Sequence, residues 1–132
     1  MEQQIKNPNN PVTWFEIYVN DLSRAQKFYE TVMDIKMQEL PDPNDTSTKM
    51  TAFPMQMDKP NVSGALVKME GFKAGGNSTI VYFESPDCAT EEARVEQASG
   101  KIFKKKNSIG EHGFMSLCMD TEGNMFGIHS MK

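Results

Sequence analysis

The sequence predicts an α+β fold made of two copies of a β-α-β-β-β unit, at about residues 11–70 and 77–131. Strand-like and helix-like segments follow one another in the same order in both halves of the chain. Each half is too short to bury a core alone, whereas two halves together can place their helices outside a pair of curved sheets. The 132 residues therefore predict a single domain, 1–132, in which the remaining sheet faces line a cleft.

The first strand is predicted over residues 12–19, which are rich in β-branched and aromatic side chains. Alternation gives this strand one purely apolar face, which we expect to pack against a helix. The opposite face carries Glu16 between Trp14 and Tyr18. A carboxylate between two aromatic rings is an unusual surface for a strand, so we predict that these three residues line the cleft and bind a small molecule. Packing in the core is the alternative for Trp14.

A helix follows and is predicted to be capped by Asp21 or Ser23, because a short side-chain oxygen satisfies the free N–H groups of a first turn. Three more strands are predicted over 35–40, 49–57 and 62–69, separated by segments dense in turn-forming residues. The apolar stripe of the helix has three- and four-residue spacing and consists of Leu22, Ala25, Phe28, Tyr29, Val32 and Met33.

The second half repeats this order from a strand at 78–84. A helix is predicted over 85–100, because the segment begins with Ser-Pro-Asp and ends at a glycine. Three strands then complete the unit, and the basic run at 101–106 is predicted to be an exposed strand edge rather than a phosphate-binding patch. The apolar stripe of the helix is weak and consists of Ala89, Ala93, Val95 and Ala98.

Composition argues against several classes of partner. A formal net charge of −4 is no electrostatic match for nucleic acid or anionic lipid. The longest apolar run is far shorter than the roughly 20 residues that a membrane span needs, and the N-terminus lacks the apolar region of a signal peptide. Cys88 and Cys118 show no metal-binding or redox spacing, so we expect a reduced, cytoplasmic protein in which Cys118 is a buried small apolar residue.

Two segments of the chain resemble the vicinal oxygen chelate superfamily, which includes glyoxalase I, bleomycin- and fosfomycin-resistance proteins and extradiol dioxygenases. They are "VTWFEIYVNDLSRAQKFYETVMDIKM" at 12–37 and "GFMSLCMDTEGNMFGIHS" at 113–130. The likeness is strongest to uncharacterised, glyoxalase-like members. The resemblance implies the glyoxalase/bleomycin-resistance fold, an incomplete eight-stranded barrel with a central cleft. It also implies a homodimer and a small-molecule ligand.

In the metal-dependent members of that superfamily, the metal ligands come from the first and last strands of each unit. This chain mostly lacks ligands at the corresponding positions, since an indole N–H, for example, cannot bind a metal ion. We therefore predict no metal cofactor, with a divalent metal held by relocated ligands as the alternative. The residues at those positions are Trp14, Lys68 with Glu70 beyond it, Ser78 or Thr79, and Gly127.

Glu16 and His129 are the candidate catalytic residues, since both side chains can handle protons or bind metal. His129 shares a strand face with Gly127 and is predicted to face the cleft, where it also binds the ligand; an ordinary surface position is the alternative. Thr79 and Met125 are predicted to face the cleft by strand parity. A third metal ligand would have to come from His112, Glu70 or Glu111, and His112 is predicted to be an exposed loop residue.

These observations favour a protein that binds a small organic molecule in the cleft without the usual set of metal ligands. The alternative is a metal-dependent lyase or isomerase of the glyoxalase I type, with Glu16 or His129 as relocated ligand or base. A structural or regulatory protein with the same fold is a third possibility. The sequence does not decide whether the protein is an enzyme.

Overall fold

The computed structural model describes residues 11–41, 47–56, 60–76 and 79–132. Several predicted features lie outside these ranges. They are the N-terminal segment 1–10, the turn at 42–46, residues 57–59, and residues 77–78, which include the start of the fifth predicted strand and Ser78 as a ligand position.

The described chain has the predicted α+β architecture, with the same order of elements in both modules. Most strands are shorter than predicted, above all the second, whereas the sixth extends beyond the predicted basic run to Ser108. The first module consists of β1 (Phe15–Tyr18), α1 (Leu22–Met33), β2 (Gln38–Glu39), β3 (Lys49–Ala52) and β4 (Gly64–Lys68). The second consists of β5 (Val81–Glu84), α2 (Cys88–Val95), β6 (Lys101–Ser108), a single 3-10 turn (Gly110–His112), β7 (Phe114–Met119) and β8 (Met125–Ser130).

Each module forms a four-stranded sheet, and the two sheets do not close on one another, as an incomplete barrel requires. The strand orders are β1-β4-β3-β2 and β5-β8-β7-β6. In both sheets the first strand pairs in parallel with the last, whereas the other pairs are antiparallel. The internal repeat is therefore one of topology, and it places β1 and β5 at one edge of their sheets and β2 and β6 at the other.

One hydrophobic core serves both modules. Phe28, Tyr29 and Val32 of α1 are buried together with Phe126 of the second sheet. The Tyr29 ring lies 5.6 Å from that of Phe53 and 5.5 Å from that of Phe126. Edge and tilted ring contacts of this kind stabilise a core beyond the area that they bury. The helices thus fix the two sheets relative to each other.

The start of α1 is capped by Asp21, whose carboxylate accepts a hydrogen bond of 3.0 Å from the backbone N–H of Arg24. The prediction of Asp21 or Ser23 is therefore confirmed for Asp21. The predicted apolar stripe is also confirmed, since Ala25, Phe28 and Tyr29 are fully or almost fully buried. Burial of this stripe supplies most of the stability of such a helix.

The prediction for α2 is wrong in two respects. The helix ends at Val95 rather than near residue 100, and Ala89 and Ala93 are exposed. The face that meets the sheet carries Cys88, Val95 and the carboxylate of Glu92, which accepts a hydrogen bond of 2.7 Å from the Ser116 hydroxyl. A polar residue thus takes a place that an apolar stripe would fill.

The basic run lies on β6, the edge strand of the second sheet, as predicted. Lys101, Lys104 and Lys105 are exposed, and Lys106 forms an ion pair of 2.8 Å with Asp87. Register shifts interrupt the pairing of this strand with β7. Edge lysines and irregular pairing both discourage sheet-to-sheet aggregation.

In the described part of the chain, neither helix has the length and apolar character that a bilayer crossing needs.

Candidate functional site

A cleft of about 460 Å³ lies where β1 approaches the beginnings of β5 and β8. Because β1 is an edge strand, residues from both of its faces reach the cleft. A volume of this size is typical of sites that hold a small organic molecule. The apolar part of the lining consists of Phe15, Ile17, Val81 and Met125, and the polar part consists of Glu16, Tyr18, Lys73, Gly75, Thr79 and Asn124.

The carboxylate of Glu16 is held between two aromatic side chains. The indole N–H of Trp14 donates to Oε2 at 3.3 Å, and the Tyr18 hydroxyl donates to Oε1 at 3.0 Å. Partial burial, together with the hydrogen bond to Glu16, raises the pKa of Tyr18. The ring of Phe72 stacks on that of Tyr18 at 5.2 Å. We call these four residues, Trp14, Glu16, Tyr18 and Phe72, the aromatic–acid cluster.

The predicted ligand-binding residues fall into two groups. Glu16, Tyr18, Thr79 and Met125 are among the residues that line the cleft. Trp14 is not among them, but its indole N–H donates a hydrogen bond to Glu16, which is. His129 is on β8 but is bonded elsewhere, and strand parity alone could not reveal its actual partners.

His129 is hydrogen-bonded at both ring nitrogens. Nδ1 lies 2.9 Å from a carboxylate oxygen of Glu84, and Nε2 lies 2.7 Å from the backbone carbonyl oxygen of His112. Both partners are acceptors, so both bonds form only when the imidazole carries two protons. The bond to Glu84, reinforced by the His112 carbonyl, raises the pKa of His129. This arrangement ties the 3-10 turn to β8.

Glu84 was missed by the sequence analysis. The only signal was the parallel register of β5 and β8, which puts Glu84 beside His129. Glu16 bonds to its own strand neighbours, and His129 bonds to Glu84 and the turn, so the two candidate catalytic residues have separate partners. The His112 side chain is exposed, as predicted.

The two cysteines are free and buried, which confirms the prediction for Cys118. Burial raises the pKa of the Cys118 thiol, and a thiol of raised pKa is a poor nucleophile at neutral pH.

The described residues do not fit the metal site that the resemblance implies for metal-dependent superfamily members. Among the described residues, no three His, Cys, Asp or Glu side chains come together as a set that could hold a metal ion. At Gly127, where the resemblance places a ligand, a Cβ atom would lie 2.3 Å from the ring of Tyr82. The ring of Tyr82 therefore fills the space that a side chain at position 127 would need.

The turn from Asp120 to Asn124 joins the two modules. One oxygen of Asp120 accepts from the backbone N–H groups of Glu122 and Asn124, both at 2.8 Å, and closes the turn. The other accepts from the Tyr29 hydroxyl at 2.7 Å. Burial raises the pKa of Asp120 and that of Tyr29. The two segments that resemble the superfamily are thus bonded to each other.

Glu122 extends this junction to the beginning of α1. Its buried carboxylate accepts from the backbone N–H groups of Asn20 and Asp21 and from the guanidinium of Arg24, at distances of 2.7 to 2.9 Å. Burial raises the pKa of Glu122, but these hydrogen bonds and that of Thr121 outweigh it and lower the pKa to about 2. A carboxylate at the start of a helix is also favoured by the helix dipole.

Asn124 connects the junction to the cleft. Its side-chain amide donates to the Tyr18 carbonyl at 3.0 Å, and its oxygen accepts from the Gly75 N–H at 2.7 Å. All three residues line the cleft. The turn therefore positions one wall of the site, a role that the sequence pattern alone did not reveal.

Comparison with known proteins agrees with this fold. Residues 12–47 match the family described as bleomycin resistance protein-like N-terminal, and no curated protein sequence matches the chain. Hypothetical protein SA1046 from S. aureus has a similar structure, with a TM-score of 0.66, 14% identity, and coverage of 92% of this chain and 95% of that chain. A glyoxalase/bleomycin resistance protein/dioxygenase superfamily member from Sphaerobacter thermophilus has a TM-score of 0.67 and 17% identity, over 92% and 98%.

A variant of glyoxalase I from Zea mays is also similar, with a TM-score of 0.73 and 18% identity. The match covers 92% of this chain but 46% of the maize chain, so the present chain spans about half of that protein. At these identities the likeness shows the fold alone. The family match covers residues 12–47 only, and the structural neighbours share the fold that the resemblance predicted.

Proposed function

We propose that the protein binds a small organic molecule in the cleft beside β1. The observation that carries this proposal is the composition of the lining, in which apolar side chains such as Ile17 and Val81 stand beside a few oriented polar groups. Binding sites for small molecules combine these features, because apolar walls supply affinity and polar groups fix orientation. Glu16 is one of these polar groups, and two hydrogen bonds set its orientation.

The alternative, a metal-dependent lyase or isomerase, has less support. Glu84 and His129 are a carboxylate and an imidazole 2.9 Å apart, but they bond to each other and to a backbone carbonyl. A catalytic metal ion typically needs about three protein ligands, and the described residues offer no such set. Binding without a metal cofactor is therefore the function we propose.

A cytoplasmic homodimer is part of the same proposal. The free thiols of Cys88 and Cys118 suit a reducing compartment. Large apolar side chains are exposed on the second sheet, with Tyr82 47% and Phe103 66% exposed. Contiguous patches of exposed apolar groups often mark an interface between subunits, and these two side chains are our candidates for such a surface. Sedimentation equilibrium of the wild type and of Phe103→Glu tests the dimer. If the exposed ring of Phe103 lies in the interface, the variant should have a lower mass or associate more weakly.

The test of ligand binding is a fragment screen by ligand-observed NMR on three proteins. Val81→Phe adds bulk to a residue that lines the cleft, and Ile80→Phe adds comparable bulk at the neighbouring exposed position. We expect hits that bind to the wild type and to Ile80→Phe but do not bind to Val81→Phe. If every hit binds all three proteins equally well, the cleft is not the binding site.

A further inference from the structure

The aromatic–acid cluster defines the chemical class of the ligand. This inference rests on the proposed function. We infer that the cleft binds an organic cation, a protonated or quaternary amine on an apolar body, and that the charged group of this ligand contacts the Glu16 carboxylate. The inference depends on how the hydrogen-bonding capacity of the cluster is used.

The donors of the cluster are already committed. Trp14 has one N–H and Tyr18 has one O–H, and both are donated to Glu16. A carboxylate can accept about four hydrogen bonds, so Glu16 keeps acceptor capacity after these two. What the cluster offers to a ligand is therefore an acceptor with a negative charge. A donor with a positive charge forms the strongest hydrogen bond with such a group.

The rings around the carboxylate favour the same kind of ligand. The face of an aromatic ring is negative and attracts cations that lie within about 6 Å of its centre. Tyr18, which is bonded to Glu16, stacks on the ring of Phe72, and Phe72 is 53% exposed. The apolar residues Phe15, Ile17 and Val81 of the same cleft can take the body of the ligand. An ammonium on a phenyl or alkyl group uses all of these features.

Lys73 also lines the cleft, and its positive charge would favour an anionic ligand instead. It lies in a loop, outside the strands and helices. Glu16, in contrast, lies on a strand and is fixed by two hydrogen bonds, and preorganised groups of this kind determine selectivity. The net charge of −4 also favours the approach of cations. We therefore assign recognition of the charged group of the ligand to Glu16 rather than to Lys73. The experiment must distinguish this cationic ligand from an anionic one bound by Lys73.

The experiment uses three probes of one shape: phenethylammonium, phenethyl alcohol and 3-phenylpropionate. Binding is followed by the fluorescence of Trp14, the only tryptophan in the chain. We expect phenethylammonium to bind at least about tenfold more tightly than the alcohol, as a charge-assisted bond implies. Glu16→Gln should abolish this difference. The matched control is Glu84→Gln, a carboxylate of the second module, which should leave it unchanged.

Tyr18→Phe is a second variant that keeps the charge of Glu16 and removes one of its donors. It should retain the preference for the cation, and circular dichroism of each variant establishes that it is folded. The inference is overturned if the alcohol binds as tightly as the ammonium, if no probe binds at millimolar concentration, or if 3-phenylpropionate binds most tightly and is lost in Lys73→Met. The fragment screen with Val81→Phe decides the proposed function separately.

Discussion

In the first module, the edge strand carries a carboxylate that faces a cleft, whereas the equivalent strand of the second module carries one that is bonded within the protein. The equivalence follows from the sheets, since Tyr18 pairs with Val67 and Glu84 pairs with His129 at the same place in the topology. Glu16 corresponds in this alignment to Tyr82. One scaffold thus holds two different surfaces.

This difference shows how a repeated module can divide its tasks. The acceptor capacity of Glu16 is only partly used by Trp14 and Tyr18. Glu84 instead bonds to His129, which also holds the 3-10 turn. The first module therefore leaves part of the acceptor capacity of a carboxylate unused, and the second uses a carboxylate to order its own structure.

The largest expected effect is at the junction between the modules. Because the pKa of Glu122 is lowered to about 2 in the folded protein, its carboxylate stabilises the fold above the ordinary pKa of 4.5, and this contribution is lost as pH falls from there towards 2. A lowering of the Glu122 pKa from 4.5 to about 2 contributes at most about 3 kcal/mol to the free energy of unfolding at neutral pH. Glu122→Gln should therefore lower the free energy of unfolding by up to about 3 kcal/mol at pH 7.

Urea denaturation of the wild type and of Glu122→Gln at a series of pH values checks this prediction. The difference between the two proteins should shrink as pH falls below 4.5. Glu111→Gln, at a carboxylate that is 90% exposed, is the control and should have little effect. A difference that stays constant down to pH 2 would show that Glu122 does not stabilise the fold through its charge.

An intermediate effect is expected at Gly127, which corresponds to Ala65 in the first module. Gly127→Ala places a Cβ atom 2.3 Å from the ring of Tyr82, so the ring must move. We expect a loss of about 1–2 kcal/mol. Thermal unfolding of Gly127→Ala, Tyr82→Ala and the double variant measures the coupling between the two residues. Strictly additive losses would contradict the contact.

The smallest effect on stability is expected at Glu84 and His129. The raised pKa of His129 means that the pair stabilises the fold fully below the ordinary value of 6.5, and that this stabilisation is lost as pH rises through the higher value in the folded state. Glu84→Gln should lower the pKa of His129. An NMR titration of the imidazole in both proteins measures the change, and an unchanged pKa in the variant would exclude Glu84 as its cause.

Much of the fold could be predicted from the sequence, because period-two and helical patterns reflect local physics. The stripe of α1 and its cap at Asp21 depend on neighbouring residues, and they were predicted correctly. The helix α2 was predicted, but its end and its buried face were not, since Glu92 replaces an apolar contact through bonds to β6 and β7. A stripe of alanines carries little information about which face is buried.

The site was predictable to a lesser extent. Alternation along one strand was enough to group Glu16 with Trp14 and Tyr18. The pairing of Glu84 with His129 depends on the register of two strands that are far apart in the sequence, and no local pattern encodes it. The role of Glu122 likewise depends on contacts with the first module, which only the assembled fold reveals.

The most direct test of a binding cleft beside β1 is to map the NMR chemical-shift changes caused by a fragment hit. We expect the largest changes at Glu16, Tyr18 and Val81, which line the cleft. Changes centred instead on Glu84 and His129 would contradict this expectation and would place ligand binding at that pair.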